Sequence, residues 1–504
     1  MNAKFAMVID SSKCFNCRAC IISCQLENDV LPGHSRNWIK TNFLETPLGM
    51  HFQPGNCMHC DDPTCVDACP TGATYKDPAD GIVKVREDLC IGCGSCIPAC
   101  PYGARHRHPE KKIVDKCDYC EARRQSGKMP ACVETCPTQA RTFGNLNDPQ
   151  SQASKLLKTK KILRVINQET DTDPVLYYVD ETGPMDWTVK AAAPMPIQLW
   201  RYGAGPLLKG LISMTGVGLL VMLTRQVFVQ DAAIHPVEQD IKQRNDNVTM
   251  VRRHTIDAML MHWFNTICWI LLLASGVGLV DNPVLQPFCM GWVQTTHKIF
   301  GGGAAVLEFH ITVGAIWSAG FLFYGLARFK HITLPFIKEM LTFSPKTDLE
   351  WLLKKSLSMT VGTRVMRRLG LTSSIPDQGF YNLGQKMFGI SALLGGVVIA
   401  ATGWILTTSQ QGLSAQGTVQ WAILIHFVSM GIVFAGLLVH IYMAVFAKGQ
   451  APAFFSMFTG NVPADYAVLH HKRWVDEIQA TTRTQSEKNL DHLQVENSDD
   501  SRVI

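Results

Sequence analysis

The chain has 504 residues, enough for two or more domains, and its formal net charge of +5 is too small to argue for a nucleic-acid partner. Residues 1–200 are polar and rich in Cys, Pro and Gly, whereas the stretch from 205 to 447 holds five apolar runs. That division excludes a single soluble globular domain.

Sixteen of the 18 cysteines stand before residue 137, in four tight blocks. The first is Cys14, Cys17, Cys20 and Cys24. The second is Cys57, Cys60, Cys65 and Cys69, followed by Pro70. The third is Cys90, Cys93, Cys96 and Cys100, followed by Pro101. The fourth is Cys117, Cys120, Cys132 and Cys136, followed by Pro137. Three closely spaced thiolates followed by a fourth is the ferredoxin pattern, in which the last cysteine serves the other cluster of a pair. Disulfides do not explain Cys-x2-Cys-x2-Cys, whose neighbouring thiols pair poorly, and zinc sites separate two Cys-x2-Cys halves by a longer stretch. Sixteen thiolates at four per cluster predict four [4Fe–4S] clusters. Cys268 and Cys289 fall outside the blocks and read as buried small apolar residues or bystanders.

Turn signals such as Asp61-Asp62-Pro63 and Asp77-Pro78 predict a loop-rich domain over 1–195, α+β and ferredoxin-like, in two pseudo-symmetric halves. Val175–Val179 reads as a strand. Met1–Lys13 does not read as a cleavable export signal.

The apolar runs are Pro206–Val229, Ala258–Val280, Gly303–Ala327, Met387–Thr407 and Gln420–Phe446, each near the length that spans a bilayer as helix. They predict a membrane anchor over 196–229, a linker over 230–257, an all-α four-helix domain over 258–448 and a tail over 449–504. The first run has a second reading, a buried helix of the soluble domain, because Lys209 and Arg225 lie within it. Between runs, Lys and Arg number four in 230–257, one in 281–302, nine in 328–384, none in 408–419 and six after Phe446. The positive-inside rule then places the linker, 328–384 and the C-terminus in the cytoplasm and the cysteine-rich domain in the periplasm, on a multi-pass protein of the inner membrane. A folded cluster domain on that side requires a partner that carries an export signal. The tail after Trp474 is polar and reads as mobile.

Four histidines lie within the runs: His262, His310, His426 and His440. Ionisable groups at membrane depth are costly and default to function. His426 and His440 are fourteen residues apart, which on a helix leaves them about 40° from one face and roughly 21 Å apart along the axis. That spacing suits two stacked b haems. Depth pairs His262 with His440 and His310 with His426, with His297 as an alternative to His310. Bis-histidine ligation leaves no open iron position and suits electron transfer. Glu308 either reaches the interface or approaches a haem propionate.

These residues make the chain resemble the iron–sulfur subunit and the cytochrome b subunit of a respiratory formate dehydrogenase joined end to end. The cysteine blocks resemble the four-cluster subunit shared by formate dehydrogenases, by polysulfide, thiosulfate and dimethyl sulfoxide reductases, and by some hydrogenases. The resemblance implies that the first block pairs with the fourth and the second with the third. Cys24 would join Cys117, Cys120 and Cys132, and Cys136 would join Cys14, Cys17 and Cys20. Cys100 would complete the Cys57 cluster and Cys69 the Cys90 cluster. Leu199-Trp200-Arg201 through Val229 is similar to the anchoring helix of that subunit. Tyr381-Asn382-Leu383-Gly384-Gln385-Lys386 and Leu438-Val439-His440-Ile441-Tyr442-Met443-Ala444 are similar to the dihaem cytochrome b. That resemblance implies a menaquinone or ubiquinone pocket near Asn382 and Gln385, for which helix capping is the second reading. Two departures stand out: the fusion itself, and Gln25 in place of a proline after Cys24.

The sequence therefore reads as an electron-transfer subunit linking a molybdopterin (Mo or W) catalytic subunit to the quinone pool, with no bond-breaking residue of its own. The complex is expected in the lipid bilayer, with higher oligomers left open. A nickel–iron hydrogenase partner is the alternative. A membrane redox sensor would need an output domain that the short tail does not provide.

Overall fold

The computed structural model describes residues 3–45, 48–166, 171–181, 195–228, 249–282, 286, 289–368, 370–371, 375–410 and 416–480. Linker residues Lys242 and Arg244 and the polar stretch Asn497–Ser501 lie outside the described residues.

The chain divides into two compact units. One contains residues 1–206, 271–314 and 401–427, and the other 207–270, 315–400 and 428–504. Four of the membrane helices therefore change unit well within their length.

In the first unit, Phe5–Ile9 is an inner strand of a four-stranded sheet. It pairs antiparallel with Arg141–Asn145 and parallel with Leu176–Val179, which in turn pairs with Ile162–Leu163. The alternation expected of a half-exposed strand is missing at Phe5–Ile9 because four of its five residues are buried. Leu176–Val179 falls within the strand expected at 175–179. Three two-stranded ribbons complete the unit: Asn37–Glu45 with Leu48–Asn56, Thr74–Lys76 with Val83–Val85, and His106–Arg107 with Val114–Asp115. Cysteines are built into the core, where Cys20, Cys57, Cys60, Cys117 and Cys132 pack with Met7, Ile9, Tyr119 and Tyr178.

Among the described residues five helices are long and apolar enough to cross a membrane. They are Gly205–Phe228, Ile256–Gly278, Gly303–Ala327, Leu383–Gln410 and Gln416–Ile441. The most apolar window of the first has no buried residue, so it does not fit the alternative of a helix buried in the soluble domain. Gly395 and Gly436 permit close approach: a Cβ at Gly395 would stand 2.4 Å from Val433 Cγ2, and one at Gly436 would stand 3.0 Å from Phe388 Cδ2.

The C-terminal segment up to Trp474 is folded. Asn461–Pro463 pairs with Met250–Arg252, and Val462, Tyr466, Ala467 and Trp474 form a small apolar core.

Candidate functional site: cysteine groups and histidine pairs

Each Cys-x2-Cys turn is shaped by a left-handed residue. Asn16, His59, Gly92 and Tyr119 all have φ between 46° and 64°. A second left-handed position follows each proline, at Gly72, Gly103 and Gln139. These kinks curl the backbone around a centre and turn its N–H groups inward. At Gly92 the demand is absolute, because a Cβ would meet the Lys112 carbonyl oxygen at 1.9 Å.

The sixteen block cysteines are free thiols drawn into four groups. Cys14 interacts with Cys20 and Cys136. Their cavity is lined by Cys14, Cys17, Cys20 and Cys136, with Pro137 and Arg141. Cys24 interacts with Cys132 and Cys120, and Cys117 with Cys24 and Cys132. Cys60 interacts with Cys57, Cys65 and Cys100. Cys69 interacts with Cys90, Cys93 and Cys96. In every group the last cysteine of one block meets three from another. Burial first, then neighbouring thiols, pushes Cys24 up to about 12 and Cys100 up to about 11. Such thiols ionise at neutral pH only against strong positive charge, which an iron–sulfur cluster supplies.

Among the described residues no three ligating side chains converge tightly enough for a single metal ion. A cubane, whose thiolates bind separate corners, fits that spacing better than one zinc. Donors aimed at sulfur support the fit. Thr74 N–H donates to Cys69 Sγ at 3.3 Å, Ala140 N–H to Cys136 Sγ at 3.3 Å and Thr172 Oγ1 to Cys60 Sγ at 3.1 Å. Beyond Cys24, where proline is missing, the helix Ala19–Glu27 runs on and brings Asn28 Nδ2 within 3.6 Å of Cys24 Sγ and 3.8 Å of Cys120 Sγ.

The groups form a line. Cys20 of the first interacts with Cys132 of the second, Cys117 of the second with Cys57 of the third, and Cys65 of the third with Cys96 of the fourth. At one end Cys17 is exposed, with Phe15, Ile22, Leu26 and Met129 exposed in nearby segments. At the other end Asn282 Nδ2 donates to the Cys69 carbonyl at 3.0 Å, and Arg86 pairs with Asp281 at 2.7 Å. A Cβ on Gly72 would lie 2.2 Å from the Asp281 oxygen, so this contact is close-packed.

His310 and His426 lie within electrostatic reach of one another in the same unit. Ser275 Oγ lies 2.9 Å from His310 Nδ1 and itself donates to the Leu271 carbonyl at 2.7 Å. A serine that donates to its own backbone can accept from Nδ1–H, the tautomer that leaves the Nε2 lone pair of His310 for a metal. Thr402 Oγ1 stands 2.9 Å from His426 Nδ1. Glycines flank both rings: Cβ atoms at Gly276 and Gly403 would come within 3.1 and 3.7 Å of the two Cε1 atoms. A side chain at Gly276 would crowd the His310 imidazole, and one at Gly403 would touch that of His426. His297 sits in the helix Met290–Phe300, its Nε2 buried without a partner.

His262 and His440 are brought together in the second unit. Phe388 stacks on His440 with centroids 4.7 Å apart, and Trp263 meets His262 edge-on. In the same unit, Asn382 N–H donates to Gln385 Oε1 and Gln385 N–H to Asn382 Oδ1, both at 3.0 Å. This is a reciprocal capping box at the start of Leu383–Gln410. It occupies the carbonyl oxygens and leaves the amide NH2 groups as donors. Around it are Tyr381, Glu339, Lys386 and Arg253. The side chain of Arg253 donates to the Phe380 carbonyl at 2.9 Å and has a buried Nη1 without a partner. Sequence reasoning missed Arg253, Ser275 and Thr402, because a Ser or Thr within an apolar helix usually bonds its own backbone.

A 4Fe-4S binding domain matches residues 11–27 and a 4Fe-4S dicluster domain matches 48–146. A prokaryotic cytochrome b561 family matches 253–460. The sequence is 47% identical over 183 residues to protein NrfC of Escherichia coli strain K12, covering 35% of this chain and 80% of the relative. It is 40% identical over 184 residues to a component of the polysulfide reductase of Wolinella succinogenes, covering 36% and 95%. It is 43% identical over 180 residues to a component of the tetrathionate reductase of Archaeoglobus fulgidus, covering 36% and 84%. The protein belongs to the iron–sulfur family of NrfC and that polysulfide reductase component, here joined on one polypeptide to a cytochrome b561-type membrane domain.

Proposed function

We propose that this chain is the electron-transfer subunit of a respiratory complex, connecting the quinone pool to a molybdopterin catalytic subunit through four [4Fe–4S] clusters and two b haems. When bound, those groups supply one-electron carriers at fixed positions. The observation that carries the reading is the unbroken series of cysteine groups from exposed Cys17 to the contact of Cys69 with Asn282.

Each residue set has a distinct part. Cys14, Cys17, Cys20 and Cys136 hold the end nearest the surface, where the exposed apolar side chains suit a protein partner. Cys69, Cys90, Cys93 and Cys96 hold the end beside Asp281 and Asn282. Ser275 and Thr402 orient His310 and His426 as outer ligands, and His262 and His440 hold the inner haem. The amide donors of Asn382 and Gln385 bind a quinone carbonyl beside that haem, with Glu339 and Arg253 in the same polar cluster. Glu339 takes up a proton as quinol is oxidised. The excess of Lys and Arg in 230–257, 328–384 and the tail supports a cytoplasmic side for this cluster and a periplasmic side for the cysteine groups.

Polysulfide and tetrathionate reductases among the relatives favour outward electron flow, from quinol to a sulfur-compound reductase. Elemental analysis of the complex purified with this chain tests the partner. Molybdenum or tungsten beside about sixteen cluster irons and two haem irons is expected. Nickel without either metal overturns the molybdopterin assignment and supports a hydrogenase.

A further inference from the structure

Two of the cysteine blocks continue identically in one respect. Cys100-Pro101-Tyr102-Gly103-Ala104-Arg105 and Cys136-Pro137-Thr138-Gln139-Ala140-Arg141 each place an arginine five residues after the last cysteine. The corresponding residues in the other blocks are Thr74 and Asp29, so each half of the domain has one such cation. Both arginines are buried, at 6% and 2% exposure.

A buried arginine normally pairs with a carboxylate, but here sulfur and neutral oxygen take that place. Arg105 donates from Nη2 to Cys65 Sγ at 2.9 Å and from Nη1 to Thr74 Oγ1 at 3.1 Å. Its electrostatic neighbours are Cys65, Cys96, Cys57 and Cys100, drawn from both groups of its half. Arg141 donates to Asn56 Oδ1 at 2.9 Å and to the Gly55 carbonyl at 3.2 Å. Its neighbours include Cys132 and Cys20, again one from each group of its half. A guanidinium does not lose its proton inside a protein, so both stay charged despite their burial.

We propose that Arg105 and Arg141 are fixed internal cations, each shared by the two clusters of one half, that raise the reduction potentials of those clusters as a pair. The inference rests on the four-cluster reading above. Each reduction adds one electron from the neighbouring carrier, with no bond broken and no proton required. The accumulating negative charge is then offset by a guanidinium in a medium that screens weakly. Arg105 thereby acts on the clusters of Cys57, Cys60, Cys65, Cys100 and of Cys69, Cys90, Cys93, Cys96. Arg141 acts on the other two. Both are positioning residues of the electron path, and potentials are thus set half by half.

The test is a potentiometric titration followed by electron paramagnetic resonance on the purified complex, with iron and sulfide assayed in each variant. Arg105→Gln is expected to shift two of the four cluster potentials downward, and Arg141→Gln the other two. Arg105→Lys and Arg141→Lys, which keep the charge, are expected to remain near wild type. Gln and Lys variants that shift equally, potentials that do not move, or all four moving together in one variant overturn the proposal. If a Gln variant loses iron, the Lys variant decides: native iron with wild-type potentials supports the charge role, and lowered potentials overturn it. Wild-type complex lacking about sixteen cluster irons instead overturns the four-cluster reading itself.

Discussion

Ser275 Oγ lies 2.9 Å from His310 Nδ1 and donates to the Leu271 carbonyl at 2.7 Å, so the His310 ring is held through Nδ1. Ser275→Ala removes that orientation without touching the ligand. Haem affinity at the outer site is expected to fall about 10- to 100-fold, a usual cost of losing a partner behind a metal-bound histidine. Haem retention on dilution, followed optically, measures it. Unchanged retention would mean that packing alone orients His310.

His440→Ala removes the proposed ligand of the inner haem. Loss of the inner haem and of quinone reaction is expected, with all four clusters retained. Pyridine haemochrome and iron–sulfide assays report both. Normal quinone turnover with both haems retained would refute the assignment of His440.

The crossed cysteine grouping makes Cys136→Ser diagnostic. Cys136 belongs to the fourth block but lies with Cys14 and the first. The variant is expected to disturb the cluster of Cys14, Cys17 and Cys20 and spare that of Cys117, Cys120 and Cys132. The altered resonance signal identifies which cluster changed.

Gly92→Ala introduces a Cβ 1.9 Å from the Lys112 oxygen at a φ of 64°. The left-handed conformation alone costs roughly 1 kcal/mol, and relieving the overlap raises the total to about 3 kcal/mol or more. Iron content is expected to drop at the Cys90 cluster, with lower thermal stability in a melting scan.

His471 donates from Nδ1 toward the Gly379 carbonyl at 2.9 Å and is held neutral. Burial first, with Arg253 nearby, lowers its pKa to about 3. The unfolded side chain titrates near ~6.5. Protons therefore bind preferentially to the unfolded segment between these values, and stability present above pH ~6.5 is lost progressively as pH falls toward ~3. Limited proteolysis of the C-terminal segment across that range should accelerate on acidification, and His471→Gln should flatten the dependence.

The cysteine spacing made the cluster domain legible because every ligand lies in a short local motif. Helix length and charge made the membrane segments legible for the same reason. The partners behind the ligands were not legible. Ser275 and His310 are 35 residues apart, and Arg141 and Asn56 are 85 apart, so only tertiary structure joins them. The pairing of Asn461–Pro463 with Met250–Arg252 was equally hidden, because a three-residue strand carries no periodic signal. Asn382 and Gln385 were legible as a pair, and their hydrogen bonds show the capping role directly.

The most direct test of the account is anaerobic addition of a short-chain quinol to the purified wild-type complex and to His440→Ala, with haem absorbance and cluster resonance followed together. The account predicts that wild type shows reduced haem first and then reduced clusters, while the variant shows neither despite intact clusters. Equal cluster reduction in both, with no dependence on His440, would contradict a path from quinol through the haems to the cysteine groups.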